Sequence, residues 1–356
     1  MRLSELGEDR FLEKLQERVA RPGPDVRLGI GDDAAALAIP AGEVALVSTD
    51  VLVEGVHFTR RTLAPRFIGR KAVAVNGSDI AAMGGRPLAL LLSLTVPAET
   101  EVEELLELLE GLTGRARELK LDLVGGNLSA SPGPMIVDVT IVGTSIGGRM
   151  LRRTGARPGE ALYVSGKLGA AAEGLELLKD GMVLSGSGAL LVPSRLREGP
   201  VPMAEICLAA HMDPEPRIDL GQFLCANGAA SACLDVSDGL ARDLGRLCRA
   251  SGVGARVTET ALPVHPGLLA WERVRGRPPL ELALSGGEDY ELLFTVSDES
   301  ALEAWRREGD VPVTRIGTVT EAGEGVTIAL RGGDERVLAA HGWDHFQFER
   351  SGSGVP

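Results

Sequence analysis

Aromatic side chains are scarce: Phe, Tyr and Trp make up 3% of 356 residues. That is too few for the stacking platforms on which proteins hold single-stranded nucleic acid. Positive charge is also short. The 37 Lys and Arg face 50 Asp and Glu, a formal net charge of −13, whereas a general nucleic-acid binder needs a basic surface. An acidic chain can still take a phosphate substrate, because bound cations reverse the local charge. Cysteine occurs four times, at 207, 225, 233 and 248. These spacings fit no zinc or CxxC pattern and predict buried, reduced thiols of a cytosolic protein. The longest apolar runs, near 88–94, fall short of the roughly 20 residues that span a bilayer. Residues 1–9 are polar and lack the apolar centre of a secretory leader, so the expected location is the cytoplasm, with no membrane partner. No repeat of 20–50 residues occurs. The common nucleotide motifs are missing too. Gly166-Lys167 is followed by Leu168, and Ala161 stands where a Walker A loop needs its first glycine. No G-x-G-x-x-G opens a helix behind a strand, and the kinase H-R-D and D-F-G sets are absent.

What is present is ordinary core material, 44% apolar residues, and 46 glycines that imply tight turns and close backbone approaches. The length suits about two domains. Helical spacing of Phe11, Leu12, Leu15 and Val19 opens the chain, and Pro22 and Pro24 end that helix. Residues 45–48 and 88–96 read as buried strands, with a helix over 65–83 between them. Residues 100–120 form the clearest helix, with Val102, Leu105, Leu106, Leu109 and Leu112 on one stripe and acids in the first turn. Residues 136–142 alternate, with Asp138 and Thr140 on one wet face of an antiparallel-type strand. Gly147-Gly148 breaks the pattern and marks the expected boundary between domain one, 1–148, and domain two, 149–350. In the second, 161–165 reads as a strand, 170–178 as a helix, 185–202 as a mobile connection and 203–212 and 221–225 as helical pieces. A capped helix is expected over 237–250 and strands over 292–296 and 315–319. Residues 351–356 are predicted to be a flexible tail. The fold class is α/β with mixed sheets in two domains.

The chemistry sits in six short segments. Gly-Ile-Gly-Asp-Asp-Ala-Ala carries Asp32 and Asp33. Ser48-Thr49-Asp50 lies on an apolar strand. Asn76-Gly-Ser-Asp carries Asp79. Gly125-Gly126-Asn127 is the fourth. Asp235-Val-Ser237-Asp238-Gly runs into a helix, and Ser285-Gly-Gly-Glu288-Asp289-Tyr290 follows. Singly, each acid has a plain explanation as a helix cap or a turn former. Together, carboxylates at strand and turn ends among small residues are the hard oxygen donors that select Mg²⁺, Mn²⁺ or Ca²⁺. The D-x-D-x-D-G calcium spacing is absent, and a shared magnesium site uses most of these residues. His341 and His345 stand four apart, but Gly342 intervenes and no HExxH accompanies them.

The ordered set GIGDDAA, STD, GVHF, VNGSDIAAMG, RTGARPG, DVSDGL, SGGEDYEL and GWDHF resembles the thiamine-monophosphate kinases, in the fold group typified by aminoimidazole ribonucleotide synthetase. The resemblance runs from about residue 28 to 346. GDDAA is shared across the fold group, whereas GVHF, SGGEDYEL and GWDHF together point to the kinase. It implies ATP-dependent phosphorylation of thiamine monophosphate to thiamine diphosphate, with ATP as co-substrate and several Mg²⁺ ions. It implies a homodimer whose N-terminal sheets pair, with the active site between domains. By motif, Asp33, Ser48, Thr49, Asp50, Asp79, Asp235 and Asp238 resemble the metal ligands. Gly126, Asn127, Arg153 and Ser237 match ATP-contacting positions, and His57, Glu288 and Trp343 match positions near the thiamine moiety. His57 as a satisfied structural histidine and Trp343 as a core-edge residue remain the plain alternatives. One departure stands out: Asn127 replaces the family's metal-binding Asp, keeping an oxygen donor but losing a charge. Competing readings are another ATP-using enzyme of the fold group, aminoimidazole ribonucleotide synthetase first, or a non-catalytic nucleotide-binding relic.

This chemistry suits the residues. A phosphate monoester has a second pKa of about 6, so the acceptor is already an anion at neutral pH and needs no strong base. The obstacle is repulsion between two anions, and phosphoryl transfer is then alignment plus charge neutralisation, expected here as direct in-line transfer.

Overall fold

The computed structural model describes residues 1–19, 22–185, 189–276 and 278–343. Alternating strands and two amphipathic helices build its first half. β1 (Ala45–Val53), α1 (Pro65–Ala82), β2 (Arg86–Pro97), α2 (Val102–Glu118), β3 (Asp122–Ser131) and β4 (Ile136–Thr144) follow in order. The sheet runs β1-β4-β2-β3, antiparallel except between β2 and β3. β4 alternates as its pattern predicts: Val137, Val139 and Ile141 enter the core, while Asp138 and Thr140 take the other face. α2 buries Leu105, Leu108, Leu109 and Leu112, with acids in its first turn and Arg115 and Arg117 in its last. α1 is buried on nearly every side, because the sheet, α2 and the second half all pack on it.

That crowding requires glycine at the α1–α2 crossing. A Cβ at Gly69 would stand 2.0 Å from the Leu108 carbonyl oxygen, and one at Gly111 would stand 1.9 Å from that of Arg66. At one end of the crossing, Arg70 pairs with Glu118 at 2.7 Å and Asp213 at 2.6 Å, while Arg115 reaches Glu118 at 2.9 Å and Glu215 at 2.6 Å. The Arg70 contact, assisted by Arg115, holds the Glu118 carboxyl down to about 2.

The second half contains β5 (Ala161–Ser165), α3 (Ala170–Lys179), α4 (Val201–Met212), α5 (Ile218–Ala226), β6 (Ala232–Val236), α6 (Leu240–Ser251), β7 (Val253–Thr258), α7 (Pro266–Arg275), α8 (Pro279–Ser285), β8 (Glu291–Val296), β9 (Val313–Glu321), β10 (Val326–Ala329) and β11 (Glu335–Val337). Its sheet runs β6-β8-β5-β9-β7-β10-β11, antiparallel except between β7 and β10. β5, β6 and β8 are buried on both faces, which is why β5 and β8 read as apolar runs in the sequence. Leu240, Leu244 and Leu247 of α6 cover one face. Leu220 and Leu224 of α5 cover the other, in a cluster that also takes Ala81 and Ala82 of α1. Leu177, Leu208 and Trp271 join the core of the first half, so the two halves meet across apolar surface.

Two local expectations change. The 185–202 connection contains ordered pieces: Val183–Leu184 pairs with Leu190–Leu191, and Ser194–Leu196 forms a 3₁₀ turn. The helix expected from 237 starts at Leu240, with Gly239 as its N-cap at φ +108° and no capping side chain. Asp238, the natural cap, turns instead to Arg246, 2.5 Å away. The 351–356 tail and the last three residues of GWDHF lie outside the described residues. All four cysteines are buried and unpaired. No described helix is long and apolar enough to cross a membrane.

The helix crossing yields a paired prediction. Gly111→Ala should destabilise the protein by about 1–3 kcal/mol through overpacking. Gly114→Ala, where an added Cβ meets nothing within 4 Å, should stabilise it by about 0.5–1 kcal/mol. Urea melts of the two variants check this; shifts of the same sign would contradict the close-contact account.

Candidate active site

The inward face of β1 is apolar at its ends and polar in its middle: Leu46, Ser48, Asp50 and Leu52 alternate on it, with both leucines buried. α1 crosses that face and presents Ser78 and Asp79. The Ser48 hydroxyl donates to the Asp79 carboxylate. From the second half, Asp235 near the end of β6 accepts a hydrogen bond of 2.7 Å from Ser78 Oγ. Asp238 lies in the turn that follows. Short polar side chains thus connect the two halves where their apolar surfaces meet.

The electrostatics of this cluster are unfavourable to its own charges. Asp50 is exposed as a residue, yet enough protein surrounds its carboxyl that loss of water, then Asp79, Asp238 and Asp138, pushes it up to about 7. Asp235 is also pushed up to about 7, by burial first and then by Asp79, Asp243 and Asp50, against the Ser78 hydrogen bond. Burial raises Asp79 as well, moderated by the Ser48 hydrogen bond and the positive charge of Arg153. Asp243 accepts the Asp238 N–H at 2.9 Å and pairs with Arg246 at 2.7 Å. Asp238 is paired with Arg246, whereas Asp50, Asp79 and Asp235 have no salt-bridge partner within 4 Å among the described residues, and hard oxygen donors so placed suit a divalent cation. Among the described residues, no three His, Cys, Asp or Glu side chains already close around one point.

The residues singled out by motif divide between two places. Ser48, Asp50, Asp79, Asp235 and Asp238 form the cluster just described. Thr49 points to the opposite face of the sheet, where its hydroxyl donates to Asp138 at 2.9 Å. Asn127 pairs in register with Ser93, and Ser93 with Asp138, on that same face. Asp33, Asp32, Gly126 and Asn127 line a cavity of about 330 Å³ bounded by Phe11, Leu12 and Leu15 of the opening helix. Asp32 accepts the Asp33 N–H at 2.9 Å. A Cβ on Gly126 would stand 2.0 Å from the Leu92 carbonyl oxygen, so strand contact alone requires glycine there. Arg153 is exposed in the segment before β5. The Ser237 carbonyl accepts the Glu288 N–H at 2.7 Å, and the Trp343 N–H donates to the Asp238 carbonyl at 3.1 Å. His57, in the turn after β1, accepts the Val53 N–H on Nδ1 at 3.0 Å.

Glu288 sits on a bent loop. Gly287, Glu288 and Tyr290 have φ of +70°, +58° and +50°, a region that non-glycine residues occupy at a cost. The loop is held against the 235–239 turn by the Glu288 amide and by the Tyr290 amide, which donates to the Val236 carbonyl at 2.9 Å. Asp289 accepts the Gly169 N–H at the start of α3. Lys71 Nζ lies 2.7 Å from one Glu288 oxygen and His211 Nδ1 lies 2.8 Å from the other. Burial pushes the Glu288 carboxyl up, but Lys71 and then His211 outweigh it and hold it below the usual carboxylate range. Sequence reasoning missed Lys71, His211 and the part played by Ser78. Neither Lys71, which follows Arg70 directly, nor His211 carried a distinguishing signal in the sequence.

The chain matches the model of the AIR synthase related protein N-terminal domain over residues 31–145 and that of its C-terminal domain over 157–329. It is 38% identical to a thiamine-monophosphate kinase of Salmonella typhimurium over 344 residues, covering 96% of this chain and 98% of that protein. It is 35% identical to a thiamine-monophosphate kinase of Bacillus subtilis over 329 residues, covering 90% and 94%. It superposes on the structure of AaThiL complexed with AMPPCP and TMP with a TM-score of 0.74 at 33% identity, over 97% of this chain and 99% of that one.

Proposed function

The chain belongs to the thiamine-monophosphate kinase family of AIR synthase-related proteins, and from that premise we propose that it phosphorylates thiamine monophosphate with ATP, with magnesium assistance, to give thiamine diphosphate. The observation that carries this reading is that β1, α1 and β6 bring Asp50, Asp79 and Asp235 to the seam between the halves, where Ser48 donates to Asp79 and Ser78 to Asp235. Such a cluster is unstable by itself and suited to gathering cations around anionic reactants.

The acceptor is a phosphate monoester whose oxygen is already deprotonated at neutral pH, so no side chain has to act as base. That oxygen bonds to the terminal phosphorus of ATP, the bond from that phosphorus to the bridging oxygen breaks, and ADP leaves with the electron pair. Asp50, Asp79, Asp235 and Asp238, with Ser48 beside them, and separately Thr49, Asp33 and Asn127 on the other side of the sheet, are the residues that would hold Mg²⁺, and bound magnesium would supply neutralisation of the phosphate charges. Ser48 and Ser78 orient the carboxylates of Asp79 and Asp235. Arg153, whose charge is felt at Asp79, adds a forked donor for phosphate. Gly126 and Ser237 take the ATP side. Glu288, His57 and Trp343 take the thiamine side, a carboxylate and an aromatic face suiting a cationic, amino-bearing ring pair. The expected site of action is the cytoplasm, and we place the division between domains at 147–148.

The partner is a second copy. β1 is a nine-residue edge strand with one side unpaired, and its outward valines Val47 and Val51 are 65% and 43% exposed. A long apolar edge of this kind is a template for pairing.

Three outcomes test this. Purified protein with ATP, Mg²⁺ and thiamine monophosphate should yield thiamine diphosphate and ADP in equal amounts by chromatography, and Asp79→Asn should lower turnover by at least about 100-fold; lack of both products across several divalent metals would reject the assignment. Asn127→Asp should lower the Mg²⁺ concentration needed for half-maximal rate; an identical metal titration would reject a role for that position at the metal. Val47→Lys should convert a dimer into a monomer in sedimentation experiments. A wild-type chain already monomeric at micromolar concentration would remove the dimer.

A further inference from the structure

Lys71 is fully buried within α1, at 0% exposure. A buried ammonium is expensive unless paired, and Lys71 has one ion partner, Glu288. Beyond that pair, its Nζ finds no hydrogen-bond acceptor among the described residues. The partner is an unusual choice for a structural ion pair. Glu288 sits on a loop with positive φ instead of a regular element, and a quarter of its side chain remains open. Its second oxygen meets His211, buried in the last turn of α4. Three separate elements therefore meet on one carboxylate: α1, α4 and the 286–290 loop.

Spacing adds a link to the acidic cluster. Lys71 stands seven and eight residues before Ser78 and Asp79, which places all three on one side of α1. The helix that carries two residues of the acidic cluster also carries the clamp on Glu288. Each carboxylate oxygen has two acceptor sites. Lys71 and His211 each stand against one oxygen, and a quarter of the Glu288 side chain stays open to a ligand.

We propose that Lys71 and His211 are positioning residues that fix the Glu288 carboxylate for binding the thiamine moiety. This rests on the reading of Glu288 as a thiamine-site residue. The clamp also offsets the charge of Glu288, so the carboxylate acts through placed hydrogen-bond acceptors more than through attraction for a cation. Both residues face Glu288 and neither belongs to the acidic cluster, so the effect should fall on thiamine monophosphate binding and not on the chemical step.

The test uses the full-length protein and the variants Glu288→Gln, Lys71→Met, His211→Gln and the Lys71→Met/Glu288→Gln pair. KM for thiamine monophosphate, KM for ATP, kcat and the calorimetric Kd for thiamine monophosphate without ATP are measured on each. Glu288→Gln should raise KM and Kd for thiamine monophosphate by about tenfold or more, the loss expected for a charged hydrogen bond. Lys71→Met and His211→Gln should each raise them by about threefold to tenfold, with KM for ATP and kcat within about twofold. Lys71→Met should add almost nothing in the Glu288→Gln background, whereas a merely structural lysine would add its full effect there. An unchanged KM in Glu288→Gln would sink the thiamine-site reading and this proposal with it. A raised KM in Glu288→Gln, with additive or equal losses toward ATP in the other variants, would sink the positioning role alone. Should Lys71→Met fail to fold, His211→Gln decides: unchanged thiamine monophosphate binding there overturns the proposal.

Discussion

Repulsion among carboxylates is the constraint around which this molecule is arranged. Asp50, Asp79 and Asp235 arrive from a strand, a helix and a strand of the other half; burial first, and then Asp79 beside both, raises the proton affinity of Asp50 and Asp235. Charges of one sign gather only where something else holds their backbones in place. Here apolar burial does so. Ala81 and Ala82 of α1 pack with Leu220 and Leu224 of α5, while Leu177, Leu208 and Trp271 join the first core. The stability of that apolar seam offsets the electrostatic penalty of the acidic one beside it.

The helix α1 connects the two. Its small residues let it approach α2 backbone to backbone at Gly69, and its Ser78 hydroxyl reaches Asp235 across the seam. Its Lys71 reaches Glu288. A bulkier or straighter-patterned helix would bury as much surface but would hold the halves too far apart for hydrogen bonds of that length. Small side chains and central position together give α1 contact with both the acidic cluster and the bent 286–290 loop.

Much of the architecture was legible from periodicity. α2 and β4 carry clean 3.6- and 2-residue patterns, and both occur within two residues of their expected limits. The strands over 232–236 and 253–258 escaped notice, because short strands in a wide sheet take their identity from neighbours. The helix at 240 starts later than its Ser-Asp cap signal suggests, since Arg246 draws Asp238 away. The site was partly legible. The Asp-bearing motifs marked Asp50, Asp79 and Asp235, and these do gather. Thr49 lies on the opposite sheet face, a consequence of strand alternation between adjacent residues.

Apolar period and glycine turns were sufficient to set the fold class, because both are written in local pattern, and the resemblance of the ordered motifs to a known family set the family. The tertiary structure alone decided which acids share an environment, that Lys71 and His211 flank Glu288, and which face of β1 is left uncovered. Those facts depend on residues distant in the chain meeting in space, and no local pattern records the distance between them.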